Sequence, residues 1–304
     1  MQRKGEKSVG LSMDMLIRKK ALKIQERLGM RIGLMYGTKN VPVVKNLSQT
    51  LRVLEDLYRI GLKAFVLPKE LFSHIKTTSD LYKEHYGELL RIKDLAKKYN
   101  IELAIHHPTL PNEFEEEIKT YLTIASVMDC RTFIIHPTLY KNIPHGQAKK
   151  LVINKLSEIL PATRMHTKIS IETTGKVTEL GSFEDVLDIV TATKGVEPAL
   201  NWAHIHARGV GALRSEEDFR RIMDKAHTTL GQPFSENAYF FFSGISYGPS
   251  GEIKHIPLSH SDIRLEHLIK QIMSYSIKGT LIFEDPEKDK FILKILDDLG
   301  NMVR

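Results

Sequence analysis

The sequence predicts an α/β chain folded as a single (β/α)8 TIM barrel with an N-terminal helical extension. Three observations predict it. From Met30 onward, eight apolar runs of strand length each precede a segment of helical period. No linker rich in Pro, Gly or Ser divides them, so one closed parallel barrel fits better than an open sheet or two domains. The final polar residues of the runs are mostly of metal-ligand or acid/base type, as expected at the functional end of such a barrel.

Residues 1–29 come first. They carry eight Lys or Arg against three Asp or Glu, and so hold five of the seven net positive charges of the chain. Ile17, Ala21, Ile24 and Leu28 recur at helical spacing among Arg18, Lys19, Lys20 and Lys23, which predicts one short amphipathic helix. Its own charge and period mark it as separable from a barrel over 30–304. Its two readings are packing, over a barrel end or a second subunit, and contact with nucleic acid. The rest of the chain is near neutral, which gives little support to a basic groove in the barrel body.

Strands are predicted over 31–36, 63–67, 102–106, 132–136, 168–172, 199–202, 238–243 and 279–284. Helices are predicted over 47–60, 81–98, 113–127, 148–160, 183–191, 215–227, 264–274 and 287–299. With 42% hydrophobic and 27% charged residues among 304, the composition excludes disordered and fibrous classes. No apolar run is long enough to span a bilayer. A single cysteine, Cys130, excludes an internal disulfide, and no signal-like segment opens the chain, so a cytoplasmic setting is expected.

Strand ends carry the chemistry. Strand three ends in His106, four in His136, five in Glu172, six in Asn201 and eight in Glu284. Each shares parity with the residue two before it, which predicts that all five point into the barrel mouth. Leu103, Ile105, Phe133, Ile135, Ile169, Ile171, Leu281 and Phe283 have the opposite parity and suit burial under the helices. A strand-end His or Glu by itself is more often a hydrogen-bonded barrel-top residue. Two imidazoles and two carboxylates converging from four strands instead suggest a divalent ion, Zn²⁺ or Mn²⁺, and activation of water. His107, of the wrong parity, reads as a rim residue. His204, His206 and His255 lie in loops that can reach inward.

"IHHP" at 105–108, "FIIHP" at 133–137, "ISIETTGK" at 169–176, "LNWAHIHARG" at 200–209, "GEIKH" at 251–255 and "IFEDP" at 282–286 resemble, in order and spacing, endonuclease IV of the xylose isomerase-like barrels. The resemblance runs from about Met30 to the C-terminus and implies a deoxyribonuclease IV-like AP endonuclease, a metal-dependent hydrolase of DNA repair. It implies His106, His136 and Glu172 as ligands of a first ion, with Glu172, which is also the implied catalytic carboxylate, bridging to a second. Glu284 would hold the second ion, and His204 and His255 the third. The chain departs from the family at Asn201, where an Asp is expected and a neutral amide is a poorer ligand, and at Phe241, where a His is expected. It departs again at Ile253, where an Asp is expected two before His255. Fewer than three ions are therefore expected. Thr109 replaces the aromatic wedge that enters the duplex. In "LPKELF", Lys69 and Phe72, a basic and an aromatic residue, could contact a nucleic-acid backbone or pack, and Lys69 is the candidate substrate contact.

Three functions follow. The first is a phosphodiesterase acting on abasic or damaged DNA. The second is a sugar isomerase-like enzyme taking a small sugar phosphate. The third, favoured by Phe241, is a non-catalytic binder of nucleic acid or protein. None involves a membrane.

Overall fold

A computed structural model describes residues 3–108, 114–138, 143–162 and 166–303. Thr109 lies outside the described residues. The barrel strands are β1 (Met30–Met35), β2 (Ala64–Pro68), β3 (Glu102–His107), β4 (Thr132–Ile135), β5 (Lys168–Glu172), β6 (Val196–Asn201) and β7 (Ala238–Phe242). An antiparallel hairpin of β8 (Gly244–Gly248) and β9 (Gly251–Ile256) follows, and β10 (Gly279–Phe283) closes the ring between β7 and β1. All eight barrel strands run parallel, so their C-terminal ends share one face, the mouth.

The predicted strands fall on the observed ones within three residues, because alternation and β-branched or aromatic content agree along each run. Interior and exterior parity also hold. Ala104, Ile134, Ala199, Phe241 and Ile282 fill the barrel. Leu103, Ile105, Phe133, Ile135, Ile169, Ile171, Leu281 and Phe283 join the shell of core beneath the helices.

Several elements differ from expectation. The segment 199–202 is a strand only to Asn201, whose side-chain oxygen accepts from the His204 amide and starts a helix over Trp202–Arg208. His204 therefore rides on a helix instead of a loop. The predicted helix 81–98 begins as a π-turn over Leu81–His85 before the α-helix Tyr86–Tyr99. The β8–β9 hairpin is not anticipated by the sequence, because the apolar run of β7 gives way at Ser243–Gly244 to a stretch whose Gly, Ser and Pro content resembles a loop.

The N-terminal helix is long, Arg3–Leu28, and Ala21, Ile24 and Leu28 are buried in the main core. Gln25 ties it to the barrel floor. Its amide nitrogen donates to the carbonyl of Gly61 at 2.8 Å, and its oxygen accepts from the Ile32 N–H at 2.8 Å. Between this helix and the floor lies a cavity of about 790 Å³ lined by Arg18, Arg31, Lys63 and Arg131. It is at the N-terminal end, away from the chemistry of the mouth.

Candidate metal centre

His106 and His136 meet at the mouth with their Nε2 atoms 3.3 Å apart. Glu172 completes the group, one carboxylate oxygen 3.0 Å from His106 Nε2 and the other 3.5 Å from His136 Nε2. All three side chains are largely or wholly buried. Beside them stands a second group. His204 Nε2 lies 3.2 Å from His255 Nε2 and 3.5 Å from a carboxylate oxygen of Glu252. Glu172 links the two, since it also lies 3.4 Å from His204 Nδ1.

Ring orientation is set by neighbours. His204 Nδ1 is 2.8 Å from the Thr173 carbonyl, which can only accept, so Nδ1 carries the proton and Nε2 keeps its lone pair. His255 Nδ1 is held by the Ser243 hydroxyl at 2.6 Å and His106 Nδ1 by the Tyr36 hydroxyl at 2.5 Å. Both rings thus turn Nε2 to the centre. Such an outer bond on each ring is characteristic of metal-binding histidines. Tyr36 is delivered by a γ-turn, with φ of 69° and the Gly37 N–H donating to the Met35 carbonyl at 2.9 Å. That same carbonyl accepts from Lys288 Nζ at 3.1 Å.

Glu252 was missed by sequence reasoning, and the cause is a β-bulge. Ser246 pairs with Lys254 and Tyr247 with Glu252, so Ile253 is the extra residue. Alternation would have put residue 253 on the face of His255. The bulge sends Ile253 outward, where it is 66% exposed, and brings Glu252 round to His255 and His204. The expected gap at Ile253 is thereby filled by its neighbour. Gly175 makes room for it: a Cβ there would sit 2.4 Å from Glu252 Oε2. The Glu252 amide donates to the Gly175 carbonyl at 2.9 Å, which docks the hairpin on the loop after β5.

Between the two groups the arrangement is different. The side-chain oxygen of Asn201 is engaged by the His204 N–H, which fixes the amide as a donor toward the centre. Its nitrogen donates to Glu172 at 3.0 Å and to Glu284 at 3.2 Å. Asn201 therefore corrects the expectation of a weak ligand, because its N–H₂ bridges two carboxylates and presents no lone pair to an ion. Phe241 lies next to it, its ring centroid 6.2 Å from that of His106. Glu284 also approaches His255 Nε2, at 3.5 Å.

Electrostatics follow from this packing. Burial alone would raise Glu172, but His136 and His106 hold it well below the ordinary carboxylate range. Burial pulls His136 down, yet Glu172 and Glu284 outweigh it and raise it. Burial dominates at His204 and lowers it, only partly offset by Glu252 and Glu172. Tyr36 is raised, first by burial and then by Glu284 and Glu172, so its phenol stays protonated.

The remaining candidates lie apart from these groups. His206 is bonded to Asp262 at 2.9 Å and to the Leu213 amide. His107 faces outward to Glu117 at 3.0 Å. Lys69 opens the 3-10 turn Lys69–Phe72, where its carbonyl accepts from the Tyr121 hydroxyl, and Phe72 is buried packing.

Known proteins share this frame. The chain matches the xylose isomerase-like TIM barrel family over residues 54–298. An uncharacterized protein of Methanocaldococcus jannaschii is 27% identical over 84% of this chain and 93% of its own length. Among solved structures, a D-tagatose 3-epimerase-like protein superposes with a TM-score of 0.64 at 16% identity, covering 90% of this chain and 98% of its own. An IOLI protein with a bound zinc atom superposes at 0.59 and 14% identity, covering 90% and 95%. Among the described residues no helix is long and apolar enough to cross a membrane.

Proposed function

The chain belongs to the xylose isomerase-like TIM barrel family, and on that premise we propose that it is a divalent-metal hydrolase of phosphate esters. One observation carries the reading. Two histidine-rich groups, His106–His136–Glu172 and His204–Glu252–His255, flank a carboxylate pair that is closed by the Asn201 amide.

The residues fit metal ions. Two pairs of Nε2 atoms face one another at 3.2–3.3 Å, and Glu172 Oε2 is buried without a well-formed hydrogen bond. Imidazole-rich sets with a carboxylate suit Zn²⁺ over Mg²⁺. Two ions are proposed, one per group, in keeping with the expectation of fewer than three. When bound, they would supply electrophilic stabilisation of phosphoryl charge and a more acidic water.

The chain's own groups do the rest. Glu172, ionised across the neutral range, holds the two groups in register. Tyr36 and Ser243 fix ring orientation. Glu284 accepts from Asn201 and keeps a carboxylate beside the second group. The resemblance to endonuclease IV makes abasic DNA the first substrate to try, with Lys69 as a proposed substrate contact. A cytoplasmic setting remains part of this reading.

A second reading, a sugar isomerase or epimerase taking a small sugar phosphate, draws on the solved structures of that kind. Against it, the carboxylates of Glu172 and Glu284 are both already engaged by the Asn201 amide. The test is incision of a synthetic abasic duplex and hydrolysis of bis(p-nitrophenyl) phosphate by zinc-loaded protein, beside C3 epimerisation of D-fructose and D-tagatose. Metal-dependent phosphodiester cleavage that is lost in Glu172→Gln is expected. Epimerisation without cleavage would overturn the hydrolase reading in favour of the second, and a loaded protein inert in every assay would favour a binder.

A further inference from the structure

We propose that His74, His85 and Glu88 form a separate transition-metal site on the connection between β2 and the helix Tyr86–Tyr99. None of its residues belongs to the mouth, and the inference does not rest on the proposed hydrolase function.

The three come together for local reasons. After β2 the chain makes the turn Lys69–Phe72, anchored by buried Leu71 and Phe72. It re-enters a helix at Thr77, which is capped by a reciprocal bond with Asp80. The π-turn Leu81–His85 then inserts an extra residue per turn before the α-helix starts, a feature often found at functional positions. His85 and Glu88, three apart, share one helix face. The His74 ring meets the edge of His85 with centroids 4.5 Å apart. One ligand atom from each of the three lies within 4.8 Å of the others. Donors held at about 2.1 Å from one ion are at most about 4.2 Å apart, so small rotamer adjustments close the set.

Convergence as a group of three separates them from the other described histidines outside the mouth. His107, His145, His206 and His227 each meet a carboxylate or hydroxyl. Among the described residues, His74, His85 and Glu88 make no hydrogen bond or ion pair, so their lone pairs converge unused. Two imidazoles and one carboxylate select Zn²⁺, Co²⁺ or Ni²⁺ over Mg²⁺ or Ca²⁺ and leave a position for water. An ion there would clip the loop from His74 to the helix start and lower its freedom.

The experiment uses the full chain freed of metal and titrated with Co²⁺ and Zn²⁺. Wild type is compared with His74→Ala/His85→Ala, with Glu88→Gln, and with the mouth variant His106→Ala/His204→Ala. The first should bind one ion fewer per chain with unchanged circular dichroism, and Glu88→Gln should weaken that ion at least tenfold. The mouth variant should keep it. Zn²⁺ should also slow proteolysis within 73–86 in wild type and in the mouth variant, but not in His74→Ala/His85→Ala. Equal stoichiometry and affinity in wild type, His74→Ala/His85→Ala and Glu88→Gln would overturn the proposal, as would loss of all binding in the mouth variant.

Discussion

The carboxylate of Glu252 lies 3.5 Å from His204 Nε2, carried there by a hairpin whose bulged residue, Ile253, faces solvent. The carboxylate that residue 253 lacks is thus supplied one residue away. Glu252→Gln should weaken one zinc ion per chain at least tenfold, so that dialysis strips it, while Ile253→Ala leaves stoichiometry unchanged. Elemental analysis of dialysed protein distinguishes them. Loss of metal in Ile253→Ala instead would show that the bulge is wrongly registered.

Gly175 and Glu252 are in contact, so Gly175→Ala should act like a ligand mutation without touching a ligand. Its added methyl would sit 2.4 Å from Glu252 Oε2 and must push the hairpin outward. Zinc content should fall by one ion per chain, with a modest stability loss of about 1–3 kcal/mol from overpacking. Calorimetry together with metal analysis checks both.

Asn201→Asp would place a third carboxylate between Glu172 and Glu284 and remove both amide donations. Metal-free protein should lose about 3–5 kcal/mol, the usual cost of an uncompensated buried charge. Saturating Zn²⁺ should restore it. Adding Phe241→His supplies an imidazole at the same level of the barrel, and the double variant should bind one more ion than wild type. Denaturant unfolding with and without zinc reads the first effect, and elemental analysis the second.

Acidity should affect the metal-free and loaded forms in opposite directions. His136 is raised from 6.5, so its contribution is present below that value and is lost as pH rises through its folded pKa. Glu172 is depressed from 4.5, so its contribution is present above that value and is lost as pH falls through its folded pKa. For this pair the metal-free chain is most stable between those ordinary values. Zinc binding needs neutral His136, releases a proton and strengthens as pH rises. Melting temperatures in chelator and in zinc should therefore diverge from about pH 6 to 8; parallel curves would show that His136 is not a ligand.

The N-terminal helix was expected to be separable, yet Gln25 satisfies backbone groups of Gly61 and Ile32 inside the floor. Gln25→Ala should cost about 1–3 kcal/mol by orphaning them. Deletion of residues 1–29 should cost more, because Ala21, Ile24 and Leu28 leave the core. Chemical denaturation measures both. A truncated chain of wild-type stability would support the separable reading.

Alternation along each strand was enough to determine the barrel and the direction of its key side chains. His106, His136, Glu172, Asn201 and Glu284 end five parallel strands with the same parity, and a two-residue period leaves them no other face. Tertiary structure alone decided what that parity could not express. A bulge breaks the period, so Glu252 replaces Ile253. A helix cap orients an amide, so Asn201 donates where lone pairs were expected. A γ-turn, an exception to the extended backbone that precedes it, turns Tyr36 onto His106. Each depends on a hydrogen bond between segments far apart in sequence or on a local departure from regular geometry, and neither leaves a periodic trace in the order of residues.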